Sequence, residues 1–262
     1  EFIHGDVRDS NLLKEYCKKV DVVIPLAAIV GFPACDKDQL LSSQVNYEHV
    51  KKICDLASED QFIIYPNTNS GYGIGDSQEF CTEETPLNPI SHYGRTKCDA
   101  ENIVRLNTSN HVCFRLATVF GQSYRMRSDL LVNNFVYNTV KYKKLTIFEP
   151  HFRRNFIHVR DVSNAIFYTI KNFNKLKNNV YNLGLSSANI TKIMLAKKIK
   201  KQFPKLKIKI VTNRSDPDKR DYFVSNKKIE GKGFKAKIKL ESGISELLQI
   251  FSNNKNKIIN NY

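Results

Sequence analysis

The sequence predicts an α/β fold in which a parallel sheet is covered by helices on both faces. Three observations carry that prediction. Short apolar runs alternate with amphipathic helical stretches as far as Gly121. The runs "DVVIPLAA" and "QFIIYP" are apolar almost throughout, as strands buried on both faces are. Polar loops rich in Gly and Pro follow such runs, at the strand ends where sheets of this kind bind ligands.

Element by element, "EFIHG" reads as a short strand and "SNLLKEYCKKV" as an amphipathic helix with Ser10 as its N-cap. The strand "DVVIPLAA" comes next. A long helix over about Lys37–Ser58 has Leu40, Leu41, Val45, Val50, Ile53 and Leu56 as its apolar stripe. Strand "QFIIYP", a polar loop, helix "SHYGRTKCDAENIVRL" and strand "HVCFRLATVFG" follow. Past Gly121 the spacing is less regular. It gives a helix in "DLLVNNFVYNTVKY", strands "KLTIF" and "RNFIHV", a helix in "VRDVSNAIFYTIKNF", then "VYNLG", a Lys-rich helix and a last helix near "SGISELLQIF". The tail "NNKNKIINNY" is too polar to pack. No internal repeat is visible.

At 262 residues and 41% hydrophobic, the chain suits one large domain or a domain with a smaller lobe. No stretch approaches the ~18 apolar residues of a membrane span, and no signal sequence opens the chain, so a cytoplasmic protein without membrane contact is expected. The six cysteines are scattered without C-x-x-C pairs, which predicts reduced thiols and no metal site. The 41 basic residues against 26 acidic give +15, but much of the excess is Lys spread over the last third, at spacings that solvate a surface. Without aromatics interleaved among those lysines, nucleic-acid binding is not expected. A pocket for a phosphorylated small molecule needs only two or three of the charges.

The chemistry concentrates at strand ends. "LAAIVG", "PNTNSGYG" and "RLATVFG" follow successive strands, and the helix after "NTNSGYG" carries Tyr93 and Lys97 one turn apart. A free Tyr, with a pKa of about 10, is a poor base near neutrality. An ammonium one helical turn away favours its phenolate, which could then take a proton from a sugar hydroxyl while a nicotinamide takes the hydride. Thr68, donor and acceptor together, could orient that hydroxyl. Alone, a Tyr and a Lys four residues apart are more often two polar side chains than a site. Their surroundings change the balance.

Nine features occur in one order: "GDVRD", "VVIPLAA", Asn46, "NTNSGYG", "PLNPISHYGRTKCDAE", "RLATVFG", "RRNFIHVRDV", "VYNLG" and "DPDKRDYFVSNKK". In this order the chain resembles the extended short-chain dehydrogenase/reductase family, the NAD-dependent sugar-nucleotide epimerases and dehydratases. The resemblance implies a Rossmann-like doubly wound sheet with a small C-terminal α/β substrate lobe. It also implies that the first strand, the G-x-x-G-x-x-G turn, its helix and the second strand, roughly fifty to sixty residues, precede Glu1 in a longer parent. On this reading residues 1–122 form a partial NAD-binding domain, 123–252 a sugar-nucleotide lobe with interleaved Rossmann elements, and 253–262 a polar tail. The fragment by itself is expected to bind NAD poorly and to be inactive, since the pyrophosphate lacks its helix N-terminus.

Carried over position by position, the resemblance implies that Asp6 and Val7 contact adenine. Leu26, Ala27 and Ala28 line the ribose and pyrophosphate, Asn46 supports the nicotinamide side, and Ala117 passes close to the nicotinamide. Thr68, Tyr93 and Lys97 are the implied catalytic triad, with Lys97 also holding the nicotinamide ribose. Thr118, standing where the family usually has Asn, belongs with Asn133, Asn134, Phe148, Arg154 and Arg220 to the sugar-nucleotide side. There Phe148 offers a face to the base and the two arginines bind the diphosphate. His92 is expected to face away from the site and His158 to lie in or near the core. Cys81 and Cys98 receive no role.

Departures from the family pattern narrow the reaction. Dehydratases follow the catalytic Thr with Asp-Glu; Asn69 and Ser70 stand here. The fucose-synthase type carries a Cys and a His that Ser70 and "GQSYRMR" do not supply. An epimerase acting at C4 needs only the triad, and that is the expected function, with NAD as cofactor and Tyr93 as acid and base. An NADP-dependent 4-ketoreductase is the rival among enzymes. A non-catalytic sugar-nucleotide-binding or regulatory protein is the rival of another class. A homodimer built from the helices at about Lys37–Ser58 and His92–Leu106 is the implied assembly.

Overall fold

The computed structural model describes residues 1–75, 79–212 and 220–253. Its contacts divide it into two compact units. The first comprises Glu1–Gly71, Pro86–Arg115 and Ile166–Tyr181, and the second Tyr72–Thr85, Leu116–Ala165 and the chain from Asn182 onward.

The elements begin with α1 (Ser10–Cys17), β1 (Val22–Val23), α2 (Phe32–Lys37) and α3 (Gln39–Ser43). A π-helical turn (Gln44–Glu48) leads into α4 (His49–Leu56), β2 (Phe62–Thr68) and a 3-10 turn (Asn69–Tyr72). Then come β3 (Phe80–Cys81), α5 (His92–Asn107), β4 (His111–Leu116), β5 (Thr118–Phe120), α6 (Leu131–Tyr142), β6 (Lys144–Phe148) and β7 (Arg153–His158). The rest are α7 (Val159–Lys171), α8 (Phe173–Leu176), β8 (Asn179–Leu183), β9 (Asn189–Thr191), α9 (Lys192–Gln202), β10 (Lys207–Val211), β11 (Phe223–Val224), α10 (Lys227–Gly231) and α11 (Leu240–Asn253).

In the first unit the strand order is β1-β2-β4-β8, and β1 runs parallel to β2 with Val22 opposite Phe62. Helix α5 makes the connection from β2 to β4. It starts because Ser91, in extended backbone, accepts the Gly94 N–H at 3.1 Å. Its buried positions Lys97, Ala100, Glu101 and Val104 fall at helical spacing on one face. Ala100 and Val104 join Val50, Ile53, Ile63, Tyr65 and Cys113 in one apolar cluster. Each fully buried Ile or Val there stabilises the unit by about 1.5–3 kcal/mol.

Several expected elements are shorter or broken, each for a local reason. "EFIHG" forms no strand: Glu1–Asp6 is exposed, and among the described residues no strand pairs with it. "DVVIPLAA" forms a ladder only at Val22–Val23, because Pro25 has no N–H to continue it. The helix cap at the first helix is Asp9 rather than Ser10, its carboxylate accepting the Asn11 and Leu12 N–H groups. The long helix breaks at Asp38, which leaves helical backbone at φ −144° and caps α3 by accepting the Leu41 N–H at 2.8 Å. "HVCFRLATVFG" divides at Ala117 into β4 and β5, and β5 pairs with β7 in another sheet.

The second unit holds the sheet β5-β7-β9 and the pairs β10-β6 and β11-β3. β5 is parallel and β9 antiparallel to β7. Side chains of α6, α9 and α11, among them Val136, Leu195, Ile199, Ile244 and Phe251, surround Leu145, Ile147 and Phe156 in its core. His158 is fully buried with its ring edge-on to Phe120. Because its Nδ1 accepts the Arg160 N–H, the ring proton sits on Nε2, which donates to Glu246 at 3.1 Å. The expected tail lies, from residue 254 on, outside the described residues, as do residues 216–219 of "DPDKRDYFVSNKK".

Candidate active site

The last residue of β2 is Thr68, and the second residue of α5 is Tyr93. The strand end and the helix are joined by specific contacts. The Tyr65 hydroxyl, three residues before Thr68, donates to the Lys97 carbonyl at 3.2 Å. Gly71 and Gly94 permit the close approach of the 3-10 turn to α5. A Cβ on Gly71 would lie 2.6 Å from Cys98 Sγ, and one on Gly94 would lie 2.9 Å from Pro89 Cβ and 3.5 Å from the Ser70 carbonyl oxygen. Thr68 itself is held at its side chain. Its Oγ1 accepts the Ser70 N–H at 3.1 Å and donates to Ser70 Oγ at 2.9 Å. A single turn thus aims the Thr68 oxygen.

One turn after Tyr93, Lys97 is 4% exposed, and its Nζ lies 4.3 Å from the centroid of the Tyr65 ring. Among the described residues no carboxylate pairs with it. Burial pushes its pKa down from 10.5 to about 7. The Tyr65 hydroxyl is driven well above its usual range, first by burial and next by the charge Tyr93 would carry beside it. Tyr93, by contrast, is half-buried and within reach of solvent. Thr68, Tyr93 and Lys97 therefore belong to one neighbourhood, with Tyr65 beneath Lys97.

The description "NAD dependent epimerase/dehydratase family" matches residues 1–184. The chain belongs to that family. The UDP-glucose 4-epimerase of Lactobacillus helveticus is 24% identical over 225 residues, 76% of this chain and 68% of the relative. The dTDP-D-glucose 4,6-dehydratase of Mus musculus is 25% identical, over 97% of this chain and 74% of the relative. Among solved structures, the UDP-glucose 4-epimerase of Thermotoga maritima with UDP-glucose aligns at a TM-score of 0.82 and 19% identity, covering 96% of this chain and 84% of that one. The dTDP-glucose 4,6-dehydratase of Bacillus anthracis in complex with NAD aligns at 0.81 and 23%, covering 97% and 80%. The fold is the Rossmann-like fold of these family members.

The other family positions of the first unit fall as follows. Asp6 is exposed, and Arg8 grips its carboxylate through three contacts of 2.6–3.1 Å, holding its pKa at about 2. Val7 is half-buried, Leu26 is exposed, and Ala27 and Ala28 are half-buried. Asn46 lies in the π-helical turn and is fully buried. Its Oδ1 accepts the Ile29 N–H at 2.8 Å and its Nδ2 donates to the Ile29 carbonyl at 3.0 Å. Asn46 thus fixes the backbone directly after Leu26–Ala28, and the wider turn that presents it is a device common at functional sites. His92 turns towards α3, its Nε2 lying 3.1 Å from Ser43 Oγ and from the Gln39 carbonyl.

In the second unit, Ala117 is buried and its N–H donates to the Leu183 carbonyl at 2.9 Å; Thr118 opens β5. The Asn133 amide is engaged within the fold, accepting the Gly121 N–H at 3.1 Å and donating to the Arg127 carbonyl at 2.8 Å. Asn134 accepts from Asn138 Nδ2 at 3.0 Å. Phe148, half-buried, ends β6, and its carbonyl accepts from Lys192 Nζ at 3.1 Å. Arg154 is buried, donates to the Arg153 and Arg220 carbonyls, and lies over the Tyr222 ring. It thereby ties β7 to Arg220.

Four features of the site escaped sequence reasoning. His49, 3% exposed, has no well-formed hydrogen bond at either ring nitrogen among the described residues; burial, then Lys97, lowers its pKa to about 4 against a weaker pull from the Val45 backbone, so it is neutral. Asn69, 1% exposed and next to Thr68, has no hydrogen bond at either side-chain atom among the described residues. Tyr65 is the third. The fourth is the Glu101–Arg115 ion pair, 2.7 Å long with both side chains buried. Spacing alone could have found Glu101: Tyr93, Lys97 and Glu101 follow at four-residue steps on one helix face. Replacing Glu101 by Gln leaves the Arg115 charge buried without its counter-ion and is expected to cost about 3–5 kcal/mol. Urea melts measure this; a loss under about 1 kcal/mol would contradict the pairing.

Proposed function

We propose that the chain carries the catalytic residues of an NAD-dependent sugar-nucleotide epimerase acting at C4. The observation that carries this choice over dehydration is the content of the turn after Thr68. Eliminating water needs a proton donor and a proton acceptor near the sugar. Asn69 is a neutral buried amide and Ser70 is hydrogen-bonded to Thr68, so the turn offers neither. Inversion at C4 needs only Tyr93, Lys97 and Thr68.

The nicotinamide end suits the cofactor. A buried ammonium with no carboxylate partner among the described residues is the kind of group that a ribose diol and a phenolate satisfy together. When bound, NAD accepts the C4 hydride and returns it to either face of the sugar. Tyr93 takes the O4 proton and gives it back, Lys97 favours the phenolate in between, and Thr68 orients the hydroxyl. The 262 residues contain no G-x-x-G-x-x-G turn, so only the Leu26–Ala28 stretch is assigned to the pyrophosphate, with Asp6 and Val7 at the adenine. On the substrate side Thr118, Asn134, Phe148 and Arg220 are the proposed contacts, and Asn133 and Arg154 support them from within the fold. Exposed Leu40 and Leu106, on the two helices assigned to assembly, favour a homodimer.

The test is an assay of the whole gene product with NAD and UDP-hexoses. The expected result is interconversion of two C4 epimers with no net NADH. A 4-keto-6-deoxy product would establish a dehydratase instead, and stoichiometric NADPH consumption with a 4-keto sugar a reductase. Tight sugar-nucleotide binding without turnover would leave the regulatory alternative.

A further inference from the structure

The bond network beneath Thr68 assigns a positioning role to Asn67, an inference that rests on the reading of Thr68 as a group that touches the substrate. Asn67 is 2% exposed. Its Nδ2 donates to Glu101 Oε2 at 2.5 Å, and its Oδ1 accepts the Thr68 backbone N–H at 2.7 Å. Arg115 completes the chain. Its Nε lies 3.2 Å from each Glu101 oxygen and its Nη2 lies 2.7 Å from Oε1.

The chemistry permits one orientation of the amide. The Glu101 carboxylate, in its 2.7 Å ion pair with Arg115, takes the acceptor role, so the NH2 group of Asn67 faces it. That leaves Oδ1 for Thr68. A side chain at this position must therefore donate to a carboxylate and accept from a backbone amide at once, while staying buried. Aspartate would set a second carboxylate against Glu101, and alanine would leave both partners short.

The geometric consequence concerns α5. Glu101 is one turn beyond Lys97 and two turns beyond Tyr93, on the same face. Asn67 thus fastens the end of β2 to the helix that carries the acid/base pair. The Thr68 N–H is fixed by Asn67 and its Oγ1 by the Ser70 N–H. With both ends of the residue held, the Thr68 hydroxyl has one position relative to Tyr93. Asn67 touches no reacting atom; it acts through Thr68.

A double-mutant cycle tests this in the whole gene product, at a temperature well below every variant's melting point. Asn67→Ala is expected to lower kcat about tenfold to a hundredfold with KM little changed, as misplacement of a catalytic group does. In a Thr68→Ala background the same change is expected to alter kcat less than about twofold, since the route of its action is gone. Asn67→Ser, which keeps a donor and an acceptor, is expected to retain more activity than Asn67→Ala and serves if the alanine variant does not fold. An equal loss from Asn67→Ala in both backgrounds would mean a merely structural role and overturn the inference alone. If Thr68→Ala leaves turnover unchanged, the catalytic reading of Thr68 fails first, and this inference with it.

Discussion

Replacing Tyr93 by Phe is expected to lower kcat roughly 10²–10⁴-fold while leaving the fold and the affinity for the sugar nucleotide within a few-fold of wild type. The ring stays, so the half-buried packing at the start of α5 stays with it. What is lost is the one ionisable oxygen at the exposed end of the cluster. Lys97 cannot replace it, since its Nζ is buried against Tyr65. Tyr65 cannot either: its hydroxyl is bonded to the Lys97 carbonyl, and burial holds its proton tightly. Steady-state kinetics with whichever sugar nucleotide turns over, together with circular dichroism, separates the outcomes. Wild-type turnover by the Phe variant would remove Tyr93 from the chemistry.

How far the site could be read from the chain alone depends on distance along it. Tyr93 and Lys97 are one turn apart on a single helix, and "NTNSGYG" directly precedes that helix, so local periodicity brings them near Thr68. The same periodicity offered Glu101. Its partners were hidden because Asn67 comes from β2 and Arg115 from β4, and no local rule says which strand side chains meet which helix face. Asn46 shows the other kind of limit. Its place in the order of motifs was visible, but its contact with Ile29 depends on a π-helical turn that propensity does not announce. The strand expectations erred where partners decide. "EFIHG" has the composition of a strand, and strand structure belongs to pairs of segments. The small pairs β10-β6 and β11-β3 were invisible for the same reason.

His49, Asn69 and Lys97 share a property that composition cannot reveal: each is a buried polar group that is poorly matched by partners among the described residues. Such groups concentrate where a ligand completes them. In the first unit they lie beside the strand end and the helix already marked by motif order, which two independent arguments thus select. The cost falls on stability, and at Lys97 it varies with pH.

Lys97→Met is expected to stabilise the ligand-free protein, and by an amount that depends on pH. The drop of the lysine pKa from 10.5 to about 7 corresponds to on the order of 5 kcal/mol opposing the charge in the folded state. Well below pH 7 the folded lysine is still protonated and the penalty is present in full. Between about 7 and 10.5 the unfolded chain holds a proton at this site that the folded chain has released, so wild-type stability rises with pH through that window. Methionine fills similar space and does not titrate. The stability gap between variant and wild type should therefore be greatest near pH 6 and narrow by about 2–3 kcal/mol at pH 9. Groups remote from Lys97 titrate alike in both proteins and cancel in the difference, whereas His49 loses the neighbouring charge in the variant and adds a smaller contribution near pH 6. Paired urea melts at the two pH values give the answer, and a gap that does not move with pH would show that Lys97 carries an ordinary charge. On the proposed mechanism the same variant should lose turnover while gaining stability, because the desolvated ammonium that weakens the empty fold is also the group proposed to favour the Tyr93 phenolate.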